Sequence, residues 1–216
     1  MTPGQSGKPG SPGKSSPSSP SPTAQVPPRP ITGKRLAVAA LVALLTGWIT
    51  VRFFLSAYET LASTRQNACR ALEPSPIPAT LASSLPDFKL PDATGKMWSL
   101  AELKGRPVLL NFWATWCAPC VEEMPSLESL AQQIGTDAVV LAVSVDDDWQ
   151  TIRRFFPKGS PLSIVWDASK EVPKKFGTEK YPETFLIDAA GKLRHYFVNK
   201  RKWDSGEALD CLLGAR

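Results

Sequence analysis

Two cysteines separated by two residues, in Trp116-Cys117-Ala118-Pro119-Cys120, are the side chains of this chain best suited to chemistry. They stand where an apolar run ends and a helical period begins. Two intervening residues let the sulfurs reach disulfide distance within one helical turn. A helix N-terminus carries unpaired N–H groups and a partial positive charge, which favours a thiolate on the outer sulfur, Cys117. In such a place a thiol pKa falls from about 8.5 to between about 3.5 and 7.5. Cys120, one turn in, is expected to be more buried and less acidic. Cys117 is then the nucleophile toward a substrate disulfide, and Cys120 resolves the mixed disulfide. Pro119 stiffens the first turn, where a missing N–H costs nothing.

Two other uses of this spacing stay open. Half a zinc site would need further ligands, and the remaining candidates, Cys69, Cys211 and His195, are isolated in sequence. An inert structural disulfide would leave Trp116 and a distant proline, Pro182, without a role. No metal and no cofactor are expected. His195 reads as structural, and Cys69 and Cys211 can pair with each other or stay free, since sequence does not place them within reach.

The elements that must position the dithiol alternate. Short strands at 87–90 and 96–99 flank a turn, and residues 107–113 form a continuous apolar run, as in a strand buried on both faces. Residues 118–134 carry a helical period interrupted by Pro125, where a kink is expected. There follow a strand at 138–145, a helix at 148–156, a strand at 162–165 and a short helix at 170–176. A hairpin at 184–187 and 193–197 and a closing helix at 205–213 complete an α/β pattern with a mixed sheet. Asp146-Asp147-Asp148 follows a strand and opens a helix, which capping and solvation explain.

The chain has 216 residues and a net charge of +5. Six of its 25 basic residues lie in the first 52 positions, ahead of the first acid, Glu59; the remaining 19 face 20 acids over 53–216. A basic head thus precedes a nearly neutral body, and nucleic-acid binding is not expected. The best basic run, Lys200-Arg201-Lys202, reads as a solvated face. Residues 1–33 are rich in Pro, Ser and Gly and are expected to be a disordered tail. Residues 34–55 hold the uncharged run 36–51 and read as an uncleaved transmembrane anchor in the lipid bilayer, the rival being a cleaved signal peptide. Lys34 and Arg35 place the tail in the cytoplasm and everything after about 56 outside. Residues 56–84 are read as stalk and linker, with Pro74, Pro76 and Pro78 stopping the helix, and the folded domain as 85–216.

The run from Asn111 to Cys120, followed by Glu122-Glu123-Met124-Pro125, and the second run Tyr181-Pro182-Glu183-Thr184-Phe185-Leu186-Ile187-Asp188 resemble the thioredoxin superfamily. More narrowly they resemble its membrane-anchored TlpA/ResA/CcmG-like thiol–disulfide oxidoreductases. The resemblance covers about residues 85–213 and implies a thioredoxin-like fold. It implies a cis Tyr181–Pro182 peptide facing the dithiol, with Trp116, Tyr181 and Pro182 contacting an extended client chain. It also implies an acid beside the thiols: Glu123, whose burial would raise its pKa so that it takes the Cys120 proton, while Glu122 is a solvated helix residue. Asn111 stands where thioredoxins proper carry a buried Asp. The implied activity is reduction of client protein disulfides on the periplasmic side of the inner membrane, apocytochrome c being the family's commonest client class, with a membrane thiol electron donor. A disulfide-donating oxidase and a binding module with an inert disulfide remain alternatives. A peroxidase of the peroxiredoxin branch lacks its own Pro-x-x-x-Thr-x-x-Cys run.

Overall fold

The computed structural model describes residues 33–215, and of residues 61–66 the backbone alone. The expected disordered tail lies outside the described residues except for Gly33. The chain divides into two units between Thr50 and Val51.

The first helix, α1, runs Gly33–Ala71. Its stretch Gly33–Thr60 has a mean hydropathy of 2.0 and no burial against protein. Twenty-eight helical residues reach about 42 Å, enough to cross a hydrocarbon layer of about 30 Å. Its one mid-span hydroxyl pair is internally satisfied: Thr46 Oγ1 donates to Val42 O at 2.9 Å, and Thr50 does the same one turn later.

The second unit is built on a five-stranded mixed sheet in the order β5-β4-β3-β6-β7. Its strands are β3 (Val108–Trp113), β4 (Val139–Ser144), β5 (Ser163–Trp166), β6 (Glu183–Ile187) and β7 (Leu193–Val198). β3, β4 and β5 are parallel, while β6 is antiparallel to both β3 and β7. A two-residue pair, β1 (Leu90–Pro91) and β2 (Met97–Trp98), makes a separate small sheet. The two expected strands reduce to these two-residue pieces, and the turn between them is organised by Asp92. Its carboxylate accepts from Thr94 N, Lys96 N and Trp98 Nε1 at 2.8–3.1 Å. Single bridges add Asp92 to β5 at Val165 and Ser75 to β7 at Tyr196.

β3 is the central strand, and every one of its residues is buried. Side chains alternate across a strand. Val108, Leu110 and Phe112 enter one core layer with Phe88, Phe176 and Phe185. Leu109 and Trp113 enter the other, with Met124, Leu127 and Leu130 of α2 (Ala118–Ile134). Asn111 shares the parity of Leu109 and Trp113, so the strand's one polar side chain is turned toward α2. The remaining helices are α3 (Trp149–Phe155), α4 (Glu171–Lys175) and α5 (Gly206–Leu213).

The folded body reaches further toward the N-terminus than Leu85. Ala68, Cys69 and Leu72 are buried in the α2-side core and Leu81 in the other layer. Cys69 and Cys211 form a disulfide that ties the end of α1 to α5. The expected linker 56–84 is therefore in part a piece of the core. Its apolar side chains are too sparse to show a period, so their burial is not visible locally.

Candidate active site

Cys117 is the N-cap of α2, in extended backbone at φ −90° and ψ 101°, and its Sγ accepts from Cys120 N at 3.3 Å. One orphan helix donor is thereby aimed at the outer sulfur. The two cysteines are joined as a disulfide. Cys117 is 7% exposed and Cys120 fully buried, so the first sulfur is the more accessible of the two. Pro119 lies in the first turn of the helix.

The approach to Cys117 is aromatic. Trp116 is 62% exposed, an unusual state for so large an apolar side chain. Its ring stands edge-on to Tyr181 with centroids 5.8 Å apart. The Tyr181–Pro182 peptide is cis. Burial, followed by the nearby charges of Asp167 and Glu183, keeps the Tyr181 phenol protonated by raising its pKa.

Glu123 follows Cys120 by three residues, on the same inner side of α2. It is 2% exposed. Asn111 Nδ2 donates to its carboxylate at 2.8 Å, Trp203 Nε1 at 2.9 Å and the Arg201 main-chain N–H at 3.1 Å. Asn111 also reaches Thr184 Oγ1, on its register partner in β6, at 2.9 Å. Burial pushes the Glu123 carboxyl up, the three donors and Arg201's charge pull it down, and the outcome is a pKa of about 7. A carboxyl titrating there suits proton exchange with a thiol near neutral pH. Glu122 faces outward and pairs with Lys200.

Three groups at the site have structural roles that their sequence did not announce. Asp146 belongs to a run whose composition reads as solvated, yet it is 1% exposed. It accepts from Thr115 N at 3.1 Å, Thr115 Oγ1 at 2.7 Å and Ser144 Oγ at 2.8 Å, so it fixes the loop that carries Trp116 and Cys117. Only Asp147 and Asp148 of that run are exposed, and Asp148 caps α3 through Thr151 N at 2.7 Å. Arg201 is not part of a solvated face either: its guanidinium donates to five carbonyls, those of Leu72, Glu73, Val198, Asn199 and Lys200. Trp203 is 1% exposed. The one signal for it in the sequence is a large aromatic set between Lys202 and Asp204.

Cys69, Cys211 and His195 are not isolated, although 142 residues separate the cysteines. Their ligand atoms lie within 4.8 Å of one another. With the two sulfurs bonded to each other the set offers no thiolate to a metal. His195 lies beside the disulfide on β7, and burial, then the Arg194 charge, lowers its pKa.

Residues 81–196 match the model of the AhpC/TSA family. A thiol–disulfide oxidoreductase ResA of Geobacillus thermodenitrificans is 37% identical over 118 residues, which is 53% of this chain and 67% of that protein. Among solved structures, a thiol:disulfide interchange protein DsbE from Chlorobium tepidum superposes with a TM-score of 0.50 at 31% identity, over 54% of this chain and 83% of the other. A thioredoxin from Neisseria meningitidis gives a TM-score of 0.50 at 36% identity, over 54% and 80%.

Proposed function

Because the chain belongs to the AhpC/TSA family and is a thiol–disulfide oxidoreductase of thioredoxin-like fold, we propose that it reduces disulfides of client proteins outside the cytoplasm, held to the membrane by Gly33–Thr60. The observation that carries the reading is the capping geometry of Cys117 next to a buried carboxyl at Glu123.

The reaction begins from the reduced dithiol. The Cys117 thiolate, favoured by the Cys120 N–H and the end of α2, attacks one sulfur of the client disulfide. The client's other sulfur leaves as a thiolate and takes up a proton. Cys120 passes its proton to Glu123 and attacks Cys117 Sγ. The mixed disulfide breaks, the client's second sulfur leaves and is protonated, and Cys117–Cys120 is oxidised. Two electrons have moved to the client, and a thiol donor in the membrane restores the dithiol. Trp116 and Tyr181 give an extended client segment an aromatic platform beside the sulfur. A client carrying a cysteine pair that must stay reduced, such as an apocytochrome c, fits this chemistry. Lys34 and Arg35 at the start of the apolar helix support a cytoplasmic N-terminus and an extracytoplasmic dithiol.

The test is the midpoint potential of the Cys117–Cys120 pair in the full chain in detergent, read by thiol alkylation in poised redox buffers. A value near about −270 mV is the reductase result. A value near about −120 mV makes the protein a disulfide donor. A pair that never exchanges ends the enzymatic reading and leaves a binding module.

A further inference from the structure

Glu123 lies where three segments distant in the chain meet. Asn111 comes from β3, and Arg201 and Trp203 come from the loop between β7 and α5. That loop would be free to move if only its own residues held it. Instead it is tied on three sides. The Arg201 guanidinium joins the carbonyls at the end of α1, Leu72 O at 2.7 Å and Glu73 O at 3.1 Å, to those at the exit of β7. Trp203 packs edge-on to Phe197 with centroids 5.3 Å apart. Its main-chain N–H donates to Ser126 Oγ at 3.1 Å, and Ser126 in turn donates to Glu123 O at 2.7 Å. The loop is thus registered against the very turn of α2 that carries Glu123.

We propose that Trp203 and Arg201 are positioning residues of the dithiol centre: the indole and main-chain N–H groups orient the Glu123 carboxylate and stabilise its charged form, and the Arg201 fork fixes the loop that presents them. The inference rests on Glu123 as the proton acceptor of Cys120. An indole N–H donates and never accepts, so the contact rewards ionised Glu123 and gives nothing comparable to a protonated oxygen in the same orientation. The charged groups around Glu123 are Glu122 on α2, paired with Lys200, and Arg201, Lys202 and Asp204 from the loop; all line one open cleft with it. From β3 it meets the uncharged Asn111, whose amide is shared with Thr184 of β6. Burial opposes the donors and sets the carboxyl at about 7, so losing one donor moves the midpoint further up.

The experiment is a carbon-13 NMR titration of the Glu123 side-chain carboxyl in the full chain in detergent micelles, with both disulfides oxidised. Glu123→Gln assigns the resonance by its disappearance. Trp203→Phe keeps an aromatic ring against Phe197 and removes only the donor; its midpoint is expected to rise by about one to two pH units. An unmoved midpoint in folded Trp203→Phe overturns the role of the indole. Arg201→Gln is expected to raise the midpoint too. Arg201→Lys should not restore it, because an ammonium lacks the fork that spans five carbonyls. Full restoration by Lys would reduce Arg201 to a charge and overturn its positioning role. If Trp203→Phe does not fold, the Arg201 pair decides. The carboxyl titrates whether or not the dithiol exchanges, so a failed redox titration would end the reductase reading while this result stays readable.

Discussion

Asp146 grips Thr115 by both its hydroxyl and its amide, at 2.7 and 3.1 Å, and so reaches from the end of β4 to the residue two before Cys117. The parallel pairing of β3 and β4 brings these strand ends together, Trp113 opposite Ser144. The dithiol loop is therefore anchored to its neighbouring strand by one buried carboxylate.

Asp146→Ala leaves the Thr115 N–H and the Ser144 hydroxyl without their partner. Urea unfolding is expected to show a loss of about 2–4 kcal/mol, and the alkylation rate of reduced Cys117 should change as the N-cap loosens. Asp146→Asn, which keeps one acceptor oxygen, should lose about half as much.

The two cysteines have separable phenotypes. Cys117→Ser should abolish disulfide exchange. Cys120→Ser should leave the attack intact and trap the mixed disulfide, which non-reducing electrophoresis and mass spectrometry would read as a covalent adduct. An adduct that accumulates on Cys120 in the Cys117→Ser variant would reverse the assignment.

Glu123 makes folding sensitive to pH in a stated direction. Its pKa is raised from 4.5 to about 7 in the folded chain. Below pH 4.5 both states hold the proton and there is no penalty. Between 4.5 and about 7 the unfolded chain ionises first, so the native state loses stability as pH rises. Above about 7 the loss is complete, at about 3 kcal/mol. Urea midpoints of wild type and Glu123→Gln, compared across pH 4–8, should diverge in favour of the Gln variant by about that amount.

The Cys69–Cys211 bond closes a sequence separation of 142 residues. Chain-entropy reasoning gives such a crosslink up to about 5 kcal/mol. The double variant Cys69→Ala/Cys211→Ala should therefore unfold at markedly lower urea. Its loosened α1 end should also free the carbonyls of Leu72 and Glu73 from Arg201, and proteolysis should then cut between residues 72 and 84.

The dithiol and the central elements were legible because their signals are local. β3 is buried on both faces, which requires an unbroken apolar run, and α2 carries its apolar residues at helical spacing. What sequence did not show depends on distant partners. Asp146 sits in a run of three acids and differs from its neighbours only in facing the sheet. Arg201 is flanked by two lysines and becomes a fork tied to main-chain carbonyls only because α1 ends beside it. Cys69 and Cys211 meet because α1 and α5 pack on the same side of the sheet. The folded body begins before Leu85 for the same reason, since residues 68–81 contribute isolated side chains to a core built elsewhere.

The two outer strands of the sheet, β5 and β7, are each met by a single bridge from a preceding segment, at Asp92 and at Ser75. An unpaired strand edge is a template on which another extended chain can add. Short caps on both flanks interrupt the ladder that such a chain would extend. Both flanks of the sheet are thereby guarded against the edge pairing that builds aggregates.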